Sequence, residues 1–372
     1  MTQQLYCAEF IFPGHPDKLS DAIADALVCE AYKREARALV GVEVAVHRDH
    51  VYLTGRIGCV EAQSIDVQKI VQEVYESAGY SDLWYPAPAQ VQVVSNLCLG
   101  PLEEGESEFR ALADDQAVCI GYSNDLVQTN HLPLEQWLVS RLAKRLYALR
   151  LEVPELALGP DGKVLIAVSE GEADQRWVLE HFSCSLQQRV ASDEIALHRA
   201  VRVVVTEELQ LASSLVPGLS LAVPDQLTVN GAGAFEVGGP EGDNGLSGKK
   251  LVMDAYGPRV PIGGGAWSGK DFFKADRAGG LHARRIAKHL VRMGLAKEAT
   301  VVLAWFPGNR SAQILRVTDQ SGQLLKLKNM DQLFDTSLLT SGENFRLDDL
   351  CEVARWGHFF GPSRPWEKVA TL

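Results

Sequence analysis

The period of the hydrophobic positions changes along the chain, and each change marks an element. After Pro16 the apolar residues Leu19, Ile23 and Leu27 recur every four positions, the spacing of one helix face, and predict a helix over 16–32. Val40, Val42, Val44 and Val46 then alternate, so LVGVEVAV reads as a strand with its valines on one face and Glu43 on the other. HRDH turns it into a second strand, VYLTGRI, and a helix over 62–78 and an apolar strand in AQVQVVSN follow. The same order returns twice. A helix over 134–148, strands KVLIAV and RWVLEHF joined by a polar turn, and a helix over 193–210 form the second copy. A helix over 276–293, strands TVVLAWF and AQILRVT, and a helix near 347–355 form the third. The copies share almost no identity, so the repeat is architectural: an α+β chain of three similar units, each with helices covering one face of a mixed or antiparallel sheet. Domains over 1–100, 111–234 and 235–372 follow from this reading.

Composition narrows the class. A chain of 372 residues, 46% hydrophobic and 23% charged, has the make-up of a soluble globular protein with room for two or three domains. Its net charge of −12 opposes binding driven by phosphate neutralisation, so no nucleic-acid partner is expected. The seven cysteines are scattered and contain no C-x-x-C, which speaks against a disulfide framework or a structural zinc site. MTQQLYCAEF lacks the basic and long apolar stretches of a signal peptide, and no apolar run is long enough for a membrane span. A reducing cytoplasm and no membrane partner are the expectations.

Two stretches stand out for chemistry. In PGHPDK, residues 13–18, Pro16 suits the first helical position, which makes His15 the cap and puts Asp17 in the first turn. Asp there complements the helix dipole even without a ligand. Residues 231–269 hold 12 of the 32 glycines, interleaved with aromatics and lysine pairs. Glycine frees backbone N–H groups to cradle anions, and adjacent lysines supply charge. GGAWSGKD, residues 264–271, imitates a P-loop, but Asp271 stands where that motif requires Ser or Thr, and no clean buried strand precedes it.

GHPDK, DDQAVCIGY at 114–122, GGPEGDNGLSGKK at 238–250, GGGAWSGKDFFKAD at 263–276 and the terminal GHFFGPSRPWEK occur in one order along almost the whole chain. Together they resemble the methionine adenosyltransferase, or S-adenosylmethionine synthetase, family. The resemblance implies three similar α+β domains about a pseudo-threefold axis, and a homodimer or dimer of dimers with active sites between subunits. It implies a reaction in which methionine sulfur displaces triphosphate from C5′ of ATP, the triphosphate then being cleaved to pyrophosphate and phosphate. A thioether carries no proton, so the attack requires no general base, and the chain offers no convincing triad. The requirement is an electrostatic sink for a polyanionic leaving group. Carried over motif by motif, His15, Lys163, Lys249, Lys250 and Lys270 would line the triphosphate, and Asp17 and Asp276 would hold Mg2+, which prefers oxygen ligands. Asp161, Phe235, Asp243 and Ala266 complete the implied ATP set, with Phe235 stacking near adenine. Glu43 matches a monovalent-cation position, implying K+. Asp115, Asp243 and Lys274 match positions beside the thioether substrate.

The departures gather in one half of this implied site. Lys249 stands where the family usually has Arg, so a bidentate grip becomes a point charge. Arg56, in TGRI, replaces a family Glu thought to meet the methionine amino group, and Ala234 replaces an Arg beside Phe235. The loop that normally brings a glutamine to methionine is here LGPLEEGESEFRALADDQ, acidic and without glutamine before Gln116. An Arg facing an ammonium group repels it. The sequence therefore leaves open, besides methionine, a thioether lacking the free amine, a non-catalytic paralogue, and an ATP or polyphosphate hydrolase.

Overall fold

The computed structural model of the chain describes residues 4–171, 176–189, 193–325, 334–361 and 363–368. The first third holds β1 (Gln4–Ile11), α1 (Pro16–Arg34), β2 (Leu39–His47), β3 (His50–Gly58), α2 (Val67–Ser77), β4 (Gln92–Gly100) and the single turn α3 (Glu106–Phe109). The second holds β5 (Ala117–Asn124), α4 (Leu134–Glu152), β6 (Leu158–Glu170), β7 (Trp177–Gln188), α5 (Glu194–Leu215) and β8 (Leu227–Val229). The third holds β9 (Asn244–Leu246), α6 (Leu251–Asp254), α7 (Ala275–Arg292), β10 (Glu298–Trp305), β11 (Gln313–Asp319), α8 (Leu338–Asn344) and α9 (Leu350–Trp356). A helix followed by an antiparallel strand pair thus occurs three times, as α1-β2-β3, α4-β6-β7 and α7-β10-β11. Part of the turn between β6 and β7, residues 172–175, lies outside the described residues.

Local chemistry explains where α1 starts. His15 is the N-cap in an extended conformation, its Nδ1 accepts from the Asp17 N–H at 3.2 Å, and Pro16 takes the first helical position. Lys33 and Arg34 occupy the last turn, where they complement the helix dipole. The second helix is shorter than its periodicity predicts. Residues 62–64 form a separate 3-10 turn, and α2 begins only at Val67, because the Asp66 carboxylate caps it by accepting from Lys69 N at 3.0 Å.

Among the described residues the strands form three sheets, ordered β1-β6-β7-β8, β11-β10-β5 and β4-β3-β2-β9. β3/β4 and β7/β8 are parallel and the other pairs antiparallel. The boundaries at 1–100, 111–234 and 235–372 do not separate these sheets. β1, from the first segment, pairs with β6 of the second; β5, from the second, pairs with β10 of the third; and β9, from the third, pairs with β2 of the first. An edge strand offers unpaired N–H and C=O groups to whichever strand reaches it, and hydrophobic period reports the strand without its partner.

Val40, Val42, Val44 and Val46 face α1 and are buried. α1 is enclosed on nearly every side, 14 of its 19 residues being buried, because it also meets α2 and α9. On the sheet faces turned away from the helices, Leu5, Tyr52, Val94, Val118 and Leu165 remain exposed.

Candidate functional site

The glycine-rich stretches are built onto α1 and the edge of β2. Val40 and Val42 bond residues 269–271, with Val42 N donating to Gly269 O at 3.0 Å, and Val44 bonds Ser247 in both directions, its N–H donating to Ser247 Oγ at 3.0 Å. Beneath them, Asp17, Asp21 and Asp25 project from successive turns of α1. Asp17 Oδ1 accepts from Leu246 N at 3.0 Å, Asp21 Oδ1 from Gly248 N at 2.7 Å, and Asp25 Oδ1 from Gly269 N at 3.0 Å. Burial and the neighbouring Asp254 push the Asp21 carboxyl well above its usual range, opposed by Lys18. Lys18 itself is buried, donating to the Asp254 carboxylate and to Ala354 O.

A first group of predicted residues meets at a cleft of about 380 Å³ lined by His15, Asp161, Lys163, Phe235 and Asp243 together with glycines of the 230–242 segment. Burial lowers the His15 pKa against the opposing pull of Asp161 and Asp17. Since Nδ1 accepts from a backbone N–H, the neutral ring carries its proton on Nε2. Asp161 is buried and its Oδ2 accepts from Gly239 N at 2.7 Å, which pins the glycine segment to β6. Lys163 pairs with Glu9 of β1. Next to His15, Lys249 Nζ lies 3.5 Å from Asp17 Oδ1 and Lys250 Nζ 3.6 Å from Asp17 Oδ2. Asp17 Oδ2 is buried without a hydrogen-bond partner.

A second group does not line that cleft. Lys270 Nζ donates to Asp276 Oδ2 at 2.6 Å on the first turn of α7. Gly265 packs so closely on the Asp276 carboxylate that a side chain there would collide with it, and Ala266 seats against Gly248. Lys274, the residue before α7, pairs with Asp114. Asp115, the position expected beside the thioether, is exposed, and its carboxylate accepts from the adjacent Gln116 N. Asp243 sits in the His15 cleft. The expected thioether set Arg56, Asp115, Asp243 and Lys274 is therefore not gathered into one cluster within a single chain. Glu43, on the outward face of β2, accepts from the Ser247 hydroxyl at 2.8 Å.

Arg56 does not present a free cation. Its Nη1 donates to Glu103 Oε1 at 2.9 Å and its Nη2 to Glu106 Oε2 at 2.7 Å, so the acidic loop neutralises it. Arg110, buried at the end of the same loop, pairs with Asp271, donates to Ala38 O at 3.0 Å and lies over the Phe273 ring. The repulsion expected between Arg56 and an ammonium group is thereby removed.

Among the described residues no three His, Cys, Asp or Glu side chains cluster as a metal cage. What the site offers a cation is one carboxylate oxygen at a time, above all Asp17 Oδ2, which has no hydrogen-bond partner. That fits Mg2+, which takes few protein ligands and completes its shell with water and phosphate oxygens. Sequence reasoning missed Asp21, Asp25 and Asp114. The first two carried a signal, acidic residues four apart on an otherwise apolar helix; Asp114 carried none beyond adjacency to Asp115.

Residues 3–97 match the family model for the S-adenosylmethionine synthetase N-terminal domain, and residues 237–368 match that for the C-terminal domain. The chain is 30% identical to the S-adenosylmethionine synthase of Deinococcus radiodurans over 99% of this chain and 96% of the relative. It is 29% identical to that of Staphylococcus epidermidis, covering 99% and 96%, and 29% to that of Desulforudis audaxviator, covering 99% and 97%. No helix among the described residues is long and apolar enough to cross a membrane.

Proposed function

The chain belongs to the S-adenosylmethionine synthase family, and from that premise we propose that it is an adenosyltransferase joining C5′ of ATP to the sulfur of methionine, with release of pyrophosphate and phosphate. The observation that carries the reading is the buried Asp17 with two lysines within 4 Å, next to His15 of the cleft that Asp161, Lys163 and Phe235 also line. Phe235 offers its ring to adenine. His15, neutral and donating from Nε2, bonds a polyphosphate oxygen, and Lys163, Lys249, Lys250 and Lys270 stabilise the triphosphate as its charge develops on leaving C5′. Lys274 and the acidic groups near it, Asp114 and Asp115, with Asp243 of the cleft, receive the amino acid. Asp17 and Asp276 are the carboxylates that hold Mg2+, whose contribution when bound is to neutralise the polyphosphate. Glu43, with Ser247 beside it, is the candidate for K+.

Lys270 and Lys274 do not line the His15 cleft of their own chain. The exposed apolar residues on the outward sheet faces, with Glu43 and Arg56 among them, support a homodimer, or a dimer of dimers, in which one protomer's His15 cleft meets its partner's Lys270 and Lys274 group. That arrangement gives the dimer two sites at its interface. A thioether lacking the amine is disfavoured because Arg56 is already neutralised by Glu103 and Glu106. An idle paralogue is disfavoured because no polyphosphate cation is lost.

Mass spectrometry of the products from ATP with Mg2+, with and without methionine, tests the reading. A methionine-dependent sulfonium product is expected. Phosphate release without methionine, or no turnover at all, overturns it.

A further inference from the structure

The chain uses one tripeptide twice, Ser247-Gly248-Lys249 and Ser268-Gly269-Lys270, and the structure seats both copies in the same way. Each glycine has a positive φ, +79° and +83°, and each donates its N–H to a carboxylate of α1: Gly248 to Asp21 at 2.7 Å, Gly269 to Asp25 at 3.0 Å. A side chain at Gly248 would strike Ala266, and one at Gly269 would strike the carbonyl of Val42, so the backbone can approach only as glycine. The residue that follows is in each case a lysine assigned above to the polyphosphate. Resting on that ATP reading of the cleft, we propose that Asp21 and Asp25 are positioning residues of the reaction: each fixes, through one backbone N–H, the origin of a lysine stem.

The burial of these two carboxylates calls for an explanation. Asp21 is 2% exposed and Asp25 fully buried, one turn apart on a helix whose buried neighbours include Leu19, Ala22, Ile23, Ala24, Leu27 and Val28. Carboxylates four apart repel, and burying them is costly unless their oxygens are bonded. Apolar side chains would fill the same face without either cost. What the carboxylates add is directional: a fixed acceptor for a backbone amide 227 or 244 residues away in sequence. Asp25 is reinforced from the other side of the peptide. Arg277 donates to both its oxygens, at 2.7 and 3.2 Å, and its Nη1 also donates to the Lys270 carbonyl at 2.8 Å. Lysine is a point charge on a flexible four-carbon stem, so its aim depends on where its backbone is held.

Asp21 separates positioning from mere stability, since Asp21→Asn keeps the oxygen that accepts from Gly248 and Asp21→Ala removes it. Three experiments are run on the full chain: steady-state kinetics for kcat and KM with ATP, calorimetry for the affinity for inorganic tripolyphosphate with Mg2+, and amide exchange at Gly248 alongside thermal unfolding. Asp21→Ala is expected to speed Gly248 exchange, weaken tripolyphosphate binding and lower kcat by about 100-fold, the cost of roughly 1 Å of misplacement. Asp21→Asn is expected to recover all three toward wild type. If the alanine variant only melts earlier, with kcat per folded chain and tripolyphosphate affinity unchanged, or if asparagine fails as badly as alanine, the positioning role is overturned. Wild type that binds tripolyphosphate but makes no sulfonium product defeats the proposed function alone, because the binding and exchange readouts still decide the role of Asp21. Wild type that does not bind tripolyphosphate overturns both.

Discussion

Asp17→Asn separates two roles a carboxylate can play among lysines, and their signs differ. Asparagine keeps the oxygen that accepts from Leu246 N, so the loop stays pinned while one negative charge disappears between Lys249 and Lys250. At 3.5 Å a unit pair is worth about 1 kcal/mol in water and about 5 kcal/mol at an effective dielectric of 20. Lys249 is 44% exposed and Lys250 20%, which places both toward the lower end. Freeing the two lysines together therefore amounts to about 2 kcal/mol, or roughly 30-fold in an equilibrium constant. Without Mg2+ the variant should bind tripolyphosphate more tightly than wild type by up to that factor. With Mg2+ the order should invert, because wild type gains affinity through the Asp17 oxygen and the variant does not, and turnover in the variant should be lost. Calorimetric titration with and without Mg2+ reads both arms. Equal affinities in both conditions, or retained magnesium-dependent turnover, would show that Asp17 serves only to pin the loop and would refute the metal assignment.

Other consequences can be checked in parallel. Lys270→Ala should lower kcat by on the order of 100-fold, as loss of a donor to a developing anion does, and a change confined to KM would mean that Lys270 binds only the ground state. Arg56→Ala should leave Glu103 and Glu106 unopposed and loosen the loop by about 1 kcal/mol, the worth of a partly exposed pair, seen as faster amide exchange at 106–110; unchanged exchange would show that Arg110 alone holds it. Burial lowers His131 to about 4, His282 to about 3 and His358 well below its usual range. Their stabilising contribution is therefore present above the unfolded pKa of about 6.5 and is lost as pH falls below it. Asp254, raised to about 6, and Asp21, raised above its usual range, act in the opposite sense, their contribution being lost as pH rises. The three histidines titrate first in the unfolded chain, so the unfolding midpoint should be lower at pH 6 than at pH 7, with protons taken up on unfolding; a midpoint that rises would contradict the buried neutral rings.

The parts of the fold legible in the sequence are those decided within a few residues. The cap at His15, the strand of alternating valines and the threefold return of helix and strand pair all follow from spacing. α2 misled because one cap, Asp66, cut the helix that its apolar period predicted. The exchanged strands were invisible for a different reason: β1, β5 and β9 lie outside the threefold pattern of helix and strand pair, and the edge each completes lies in another third of the chain. The site divides in the same way. The lysines and His15 could be named by motif, whereas the state of Arg56 depended on carboxylates 47 and 50 residues downstream. Asp21 and Asp25 were visible as a spacing, yet their partners lie more than 220 residues on.

The exchange of strands sets a timetable for synthesis. β1 waits for β6 and β5 for β10, and β2 waits longest, for a β9 made roughly 200 residues later. At the usual pace of about 5–20 residues per second, β2 emerges with one edge open for about 10–40 s before its partner exists. The carboxylates of α1 wait at least as long for Gly248 and Gly269. The nascent chain therefore cannot finish its first sheet, nor assemble its lysines, until residues 244–270, at the start of the third segment, have left the ribosome. An interrupted product is not a smaller enzyme but an open strand edge of the kind that recruits chaperones or aggregates.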